Sequence, residues 1–483
     1  MSITETPTKP FAASTGSRAA WIGTAIYIAM LLAGIGLFVL IRGVGEGLTA
    51  AEAPPDAVLK GPGSKGQVDV IRHVLLTLAA VIGVGFLLGR VCRAVGQPPV
   101  IGEVLAGILL GPSLLGAISP DAMHALIPSA AEDPKGQVSV ALKAVAQLGI
   151  ILYMFLVGLE LDAGRLRKKA HAAVAVSHTS IVVPFVLGAA LALWLYPLLS
   201  HRGVPFSGFA LFLGAALAVT AFPVLARILT DRGMEKTDLG VLALGCAAAD
   251  DVTAWCLLAF VVGATQSEVA DAAGVLAGAA IFIALMFLLV RPVLRRFARK
   301  LDATPGPVPQ GAIAGAFLLL LVSALTTEMI GIHAVFGAFL LGAFIPHDSR
   351  LSADLGSKLK GPVITLLLPA FFASTGMKTE IGLLNTANDW LICLAIIAVA
   401  TLGKFGGSLI AARLTGHTWR EAAAVGALMN TRGLMGIIVI DIGLDLGVIS
   451  PTLFTMMVIM ALVTTAATAP MLSWTYRGDR DRY

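Results

Sequence analysis

Apolar residues run through this chain in blocks of about twenty, separated by short polar loops. Such a block suits a membrane-crossing helix, because the hydrocarbon core is about 30 Å thick and lipid offers no hydrogen bonds to the backbone. Applied along the chain, this criterion predicts fourteen helices near 21–41, 70–91, 98–117, 139–161, 171–197, 207–230, 238–262, 271–294, 310–328, 331–346, 361–377, 389–412, 419–443 and 451–474. The third, tenth and eleventh are short or interrupted by Pro and Gly, a pattern that hints at discontinuous helices and inverted repeats. The fold class expected is an all-α polytopic membrane protein.

Composition supports that class. Of 483 residues 57% are apolar and only 13% charged, with a mean hydropathy of +0.89. A soluble domain carries about 25% charged residues, so a water-facing surface cannot be built from this supply. The 52 glycines suit close helix packing in lipid. The net charge of +5 is not spread as a nucleic-acid partner would require, since the bases gather in alternate loops (Arg165, Arg167, Lys168, Lys169; then Arg291, Arg295, Arg296, Arg299, Lys300). That is the positive-inside pattern, and no nucleic-acid partner is expected.

Threading by this rule puts the loops around 90–93, 162–170, 231–237, 291–301, 347–361, 413–420 and 475–483 inside. Loops around 118–138, 263–270 and 444–450 fall outside. Both termini are then cytoplasmic, in an inner membrane. Residues 1–69 are expected to hold a tail, an extra helix and an external loop. Residues 70–475 form the membrane domain, and 476–483 a short tail. A cleaved signal peptide is the alternative for 21–41, but its apolar run exceeds the usual h-region and Arg42 follows directly. No βαβ pattern or GxGxxG follows the last helix, so no nucleotide-binding module is expected there. Cys92, Cys246, Cys256 and Cys393 lack CxxC spacing and read as structural thiols.

The candidate chemistry lies in the blocks themselves. Ala-Ala-Ala-Asp250-Asp251-Val-Thr-Ala-Trp255 places two adjacent carboxylates at membrane depth, flanked by apolar sequence on both sides. Charges there are tolerated only beside a counter-charge, in a hydrated cavity, or as neutral acids. Two interacting acids in such a place suit a site that holds either a proton or a cation. Lys404, in Thr-Leu-Gly-Lys404-Phe-Gly-Gly, lies equally deep and is expected to pair with one of the aspartates; carbonyls near a helix break are its other possible partners.

Two helices look built to break at the midplane. In Ala-Val-Thr220-Ala221-Phe-Pro223 the proline removes a backbone bond, exposing carbonyls near Thr220 to a hard cation. In Met429-Asn430-Thr431-Arg432-Gly433 the buried Arg432 is expected to draw on carbonyl ends of a broken helix. Glu103 reads equally as a packing contact or part of a pathway. Glu160 and Asp162 read as interfacial, His333 as a structural contact, and His178 and Tyr153 as core residues. No His or Cys spacing supports a zinc enzyme. No resident cofactor is expected.

These motifs together resemble a family. Pro98-Pro-Val-Ile-Gly-Glu103-Val-Leu-Ala-Gly-Ile-Leu-Leu-Gly-Pro112, Gly158-Leu-Glu160-Leu-Asp162, Ala218-Val-Thr-Ala-Phe-Pro-Val-Leu-Ala-Arg227 and Gly331-Ile-His-Ala-Val-Phe-Gly-Ala-Phe339 are similar to the monovalent cation:proton antiporter-2 family. Asn430-Thr-Arg-Gly-Leu-Met and Ile442-Gly-Leu-Asp-Leu-Gly-Val-Ile-Ser450 narrow the likeness to its cation/proton exchanger-like branch. The resemblance covers roughly 70–475 and implies a sodium/proton-antiporter-like fold. Its features are two inverted repeats, crossed discontinuous helices, and core and dimerisation domains of a homodimer with elevator-type access.

It further implies that Asp251 binds Na+ or K+ or a proton, that Asp250 is the second acid of an electrogenic exchanger, and that Lys404 is its partner. Gly436 and Asp441 stand where this branch usually carries Glu and Asn, which puts the charge balance around Arg432 at issue. Asp441 is the candidate to compensate it. A channel would instead show repeated carbonyl loops or charge rings, and an enzyme a nucleophile–base or metal constellation; neither pattern is visible.

Overall fold

The computed structural model describes residues 69–475 apart from 130, 161–169, 235–236 and 267–268, with Ala29 and Leu32 in addition. The expected helix at 21–41 and the residue Asp162 lie outside the described residues. The chain divides into two compact units, Met1–Lys65 and Gly66–Tyr483, and the second holds the elements below. Among the described residues all regular structure is helical, and nine segments of 20–34 residues are long and apolar enough to cross a membrane.

The helices are α1 (Val70–Ala94), α2 (Pro99–Leu110), α3 (Gln137–Glu160), α4 (Ala170–Leu199), α5 (Phe206–Ala218), α6 (Phe222–Asp231), α7 (Asp238–Gln266), α8 (Val269–Leu285) and α9 (Arg291–Ala303). They continue as α10 (Gln310–Ile330), α11 (Ala334–Phe344), α12 (Arg350–Pro362), α13 (Leu368–Lys378), α14 (Ala387–Thr401), α15 (Gly407–Leu414), α16 (Trp419–Met429), α17 (Leu434–Asp445) and α18 (Pro451–Thr475). They pack as two groups. One is built from α1–α3, α10, α11 and α13; the other from α4–α7 and α14–α18.

Both expected breaks occur. The block at 207–230 divides into α5 and α6, with Val219 extended between them. The block at 419–443 divides into α16 and α17 across Asn430–Gly433. The two interruptions meet: the Ala221 backbone N–H donates to the Thr431 carbonyl at 3.0 Å. Gly433 permits this approach, since a Cβ there would stand 2.7 Å from Val224 Cγ2. Broken helices can cross only where each supplies the other's orphaned backbone groups, because lipid supplies none.

The first break lies where Pro223 places it. Pro223 is the second residue of α6, where a helix has no use for its N–H and the fixed φ favours initiation, and the interruption at 219–221 includes the residue four positions back whose carbonyl it leaves without a donor. One expectation changes. Residues 347–361, read as a loop, contain α12, which runs through a π-helical turn (Val363–Leu367) into α13. The Ser349 hydroxyl caps it by accepting the Ser352 N–H at 3.2 Å, and Asp354 pairs with Lys358 one turn on. These local polar contacts extend the helix beyond its apolar part, where hydropathy carries no signal.

Candidate functional site

The centre of the second helix group contains four buried charges: Asp250 and Asp251 on α7, Lys404 in the turn between α14 and α15, and Arg432 at the second break. Two acids face two bases, so the group is neutral when all four are ionised. This balance is what allows them to persist away from water.

Asp250 sits in a cage of donors. The Ser177 hydroxyl donates to Oδ1 at 2.6 Å, and those of Ser180 and Thr220 to Oδ2 at 2.7 Å each. The Lys404 ammonium completes the set at 3.0 Å from Oδ2. Lys404 also donates to the carbonyls of Ser180 and Ala218, the latter in the last turn of α5. Both partners expected for Lys404, an aspartate and break carbonyls, are therefore real. The lysine is aimed by a π-helical turn, Leu402–Gly406, a feature that re-registers one helix face against the rest. Gly403 brings this turn against α4, where a Cβ would lie 2.9 Å from Pro184 Cα.

Asp251 is the opposite case. It is fully buried, yet neither carboxylate oxygen has a hydrogen-bond partner among the described residues. The Phe222 backbone amide faces it without reaching hydrogen-bond geometry. That amide belongs to the first residue of α6, whose positive dipole end favours negative charge. Asn430, in the second break, is also fully buried with both amide atoms unpartnered. Unsatisfied polar atoms at such depth cost about 1–3 kcal/mol each and mark a place where something binds.

Thr220 and Ala221 link the two breaks, Thr220 Oγ1 also lying 3.4 Å from the Met429 carbonyl. Arg432 donates to the Ala216 carbonyl in the last turn of α5 at 3.0 Å and to that of Ala400 at 3.1 Å. The expectation that helix-end carbonyls would hold it is met, whereas Asp441 does not compensate it. Asp441 instead pairs with Lys378 at 2.6 Å, because it lies more than two helical turns along α17 from Arg432. At Gly436 an added Cβ would have no neighbour within 4 Å. Thr431 and Gly433 contribute backbone and close approach, as described above, and the Thr431 hydroxyl donates to Thr468 Oγ1 at 3.3 Å.

Other candidates fall elsewhere. Glu103 packs from α2 toward Gly85 of α1. Glu160 pairs with Lys360 at 3.0 Å. The His333 ring caps α11 and lies 3.0 Å from Gln147 Nε2. Tyr153 is half-buried, while His178, read as a core residue, is exposed on α4. Sequence reasoning missed Ser177 and Ser180, although their spacing of three residues put both hydroxyls on one helix face.

A cavity of about 470 Å³ is lined by Lys143, Gln147, Glu328, His333, Asp445 and, on α7, Leu258 and Val262. Leu258 lies seven residues beyond Asp251, about 10 Å along the same helix stripe. The cavity therefore borders the aspartate helix from that side.

Comparison with known proteins agrees with this picture. The family model described as sodium/hydrogen exchanger, transmembrane, matches residues 76–477. The Na(+)/H(+) antiporter NhaS4 of Synechocystis sp. is 42% identical over 412 residues, covering 84% of this chain and 98% of that protein. Cation/H(+) antiporter 18 of Arabidopsis thaliana is 36% identical over 409 residues, 84% of this chain and 49% of its own. This chain thus spans about half the length of that plant relative. Among solved structures, the sodium proton antiporter MjNhaP1 from Methanocaldococcus jannaschii aligns with 85% of this chain and 98% of its own at a TM-score of 0.59. Its 16% identity makes this a likeness of fold. The chain is a multi-pass membrane protein with a sodium/proton-antiporter fold, and it belongs to the transmembrane sodium/hydrogen exchanger family.

Proposed function

We propose that this protein exchanges a monovalent cation, Na+ or K+, for protons across the membrane, with Asp251 as the group for which the two compete. The observation that carries this reading is the contrast between the aspartates: Asp250 is held by four side-chain donors, while Asp251 is buried with both oxygens unpartnered. A carboxylate in that state must take a proton or a cation, and cannot take both. Thr220 and Asp250 supply further oxygens, which hard cations prefer, and the Asn430 amide offers another. The direct test is dequenching of a pH-sensitive dye in everted vesicles on adding Na+ or K+; no cation-dependent proton flux in any salt would sink the proposal.

Exchange is electrogenic in this reading. A cation drawn between both aspartates displaces the Lys404 ammonium, whose proton leaves with that of Asp251, so two protons move against one cation. Asp250→Asn removes the acid that Lys404 answers to. Its expected result in proteoliposomes is cation/proton exchange that no longer responds to an imposed membrane potential. A response equal to wild type would overturn the two-proton scheme.

Alternating access is elevator-like, with α4–α7 and α14–α18 moving against the other group within a homodimer in the inner membrane, both termini cytoplasmic. Three ion pairs join the groups: Lys143–Asp445 at 2.6 Å, Lys378–Asp441 at 2.6 Å and Lys378–Asp445 at 3.5 Å. These half-exposed pairs are worth roughly 0.2–1 kcal/mol each, enough to bias two states without locking them. Lys378→Met is expected to raise turnover about twofold to fivefold with apparent cation affinity unchanged. A shift in affinity alone would place Lys378 in binding rather than in movement.

A further inference from the structure

We infer that α9 and its contact with α12 form a docking surface for the anionic headgroups of the membrane lipids. The helix that ends in α9 runs unbroken from Val269 through the π-helical turn Met286–Val290 to Ala303. Its uncharged stretch, residues 272–290, is 19 residues long, about 28 Å at 1.5 Å per residue, which fills a hydrocarbon core of about 30 Å. Arg295 and Arg299 lie about 7 Å and about 13 Å beyond that stretch, at and just outside the headgroups.

The helix is divided sharply by face. At 3.6 residues per turn Arg291, Arg295, Arg296, Arg299 and Lys300 occupy about half of its circumference. Leu294 and Ala298 on the other half are buried against the protein. Between the two lie Val293 and Phe297, apolar and 54% and 41% exposed. An apolar edge beside a basic arc is the arrangement of a helix lying at the boundary of acyl chains and headgroups.

The neighbouring acids are already engaged. Asp302 accepts the Arg350 backbone N–H at 2.9 Å, and Asp354 holds Lys358 at 2.8 Å. Arg350 also donates to the Leu301 and Thr304 carbonyls at 3.1 and 2.6 Å, clamping the end of α9 to α12. Arg291 lies over the Phe287 ring. Arg295, Arg296, Arg299 and Lys300 are exposed and form no ion pair among the described residues. Four bases held in a preformed arc at headgroup depth match a phosphodiester surface in charge and position, and arginine's fork suits phosphate oxygens.

The test is the full-length protein in neutral-detergent micelles containing equal amounts of phosphatidylglycerol and phosphatidylcholine, with retained lipid read by native mass spectrometry. Each base at an anionic surface contributes about fivefold. Phosphatidylglycerol should therefore be retained at least about fivefold over phosphatidylcholine in low salt, the contribution of a single engaged base, and less as salt rises. The variant R295Q/R296Q/R299Q/K300Q should fall to about twofold or below, while R413Q/R420Q, on another basic loop, keeps the preference. The pairs R295Q/R299Q and R296Q/K300Q should each lose part of it, which keeps the question answerable if the quadruple variant does not fold. Cation-driven proton flux of the paired variants in phosphatidylcholine vesicles should match wild type. Equal retention of the two lipids by wild type would overturn the inference. So would unchanged preference in the quadruple variant or in both paired variants.

Discussion

Asp251→Asn is expected to lower cation-driven proton flux by about three orders of magnitude, to the level of empty vesicles, in protein that still inserts and folds. A unit charge 4 Å from a cation contributes about 4 kcal/mol at an effective dielectric constant of about 20. The amide cannot replace that attraction, nor can it carry the exchanging proton. Stability should not suffer, because the carboxylate oxygens have no hydrogen bond to lose among the described residues and the uncharged amide is cheaper to bury. The check is paired: dye dequenching in everted vesicles, and thermal melting of the purified protein. Retained flux would move the exchange site away from Asp251. Lost flux accompanied by a collapsed melting temperature would leave the loss explained by misfolding, and Asp251→Ser, a second uncharged replacement at the same buried position, would then decide.

Lys404→Ala is the second large effect, and its signature is stability. The substitution removes the only base bonded to Asp250 among the described residues and the donor to the Ser180 and Ala218 carbonyls. Stripping one partner from a buried pair costs about 3–5 kcal/mol, because the other charge is left uncompensated. The melting temperature should drop by about 5 °C or more. Asp250→Asn combined with Lys404→Ala should recover at least half of that loss, since the orphaned charge is gone. A single variant that melts within scatter of wild type, or a double variant no better than the single, would show that Asp250 relies on its three hydroxyl donors instead.

The two predictions together separate the aspartates, a distinction that local composition cannot make and that the family resemblance implied. What was legible was the expense of each feature. Two carboxylates, a lysine and an arginine inside apolar blocks are visible because hydrocarbon tolerates them only for a reason. The interruption at Asn430–Gly433 was legible for the same cause. The first break was legible through Pro223, which cannot donate to the carbonyl four residues back and so stands in the first turn of α6. The helix at 350–362 escaped notice because its polar residues look like a loop until Ser349 and the Asp354–Lys358 pair are seen to hold it.

By itself the sequence determined the solvent this protein lives in, the location of most spans, and the four buried charges at its centre. These follow from local composition, and the transfer cost of a residue into lipid does not depend on its distant neighbours. Only the tertiary structure decided that Ser177 and Ser180 join Lys404 around Asp250, and that Arg432 rests on Ala216 and Ala400 while Asp441 goes to Lys378. Those partners lie far apart along the chain, and hydrogen bonds and ion pairs act over about 3 Å. Packing alone sets distances that short.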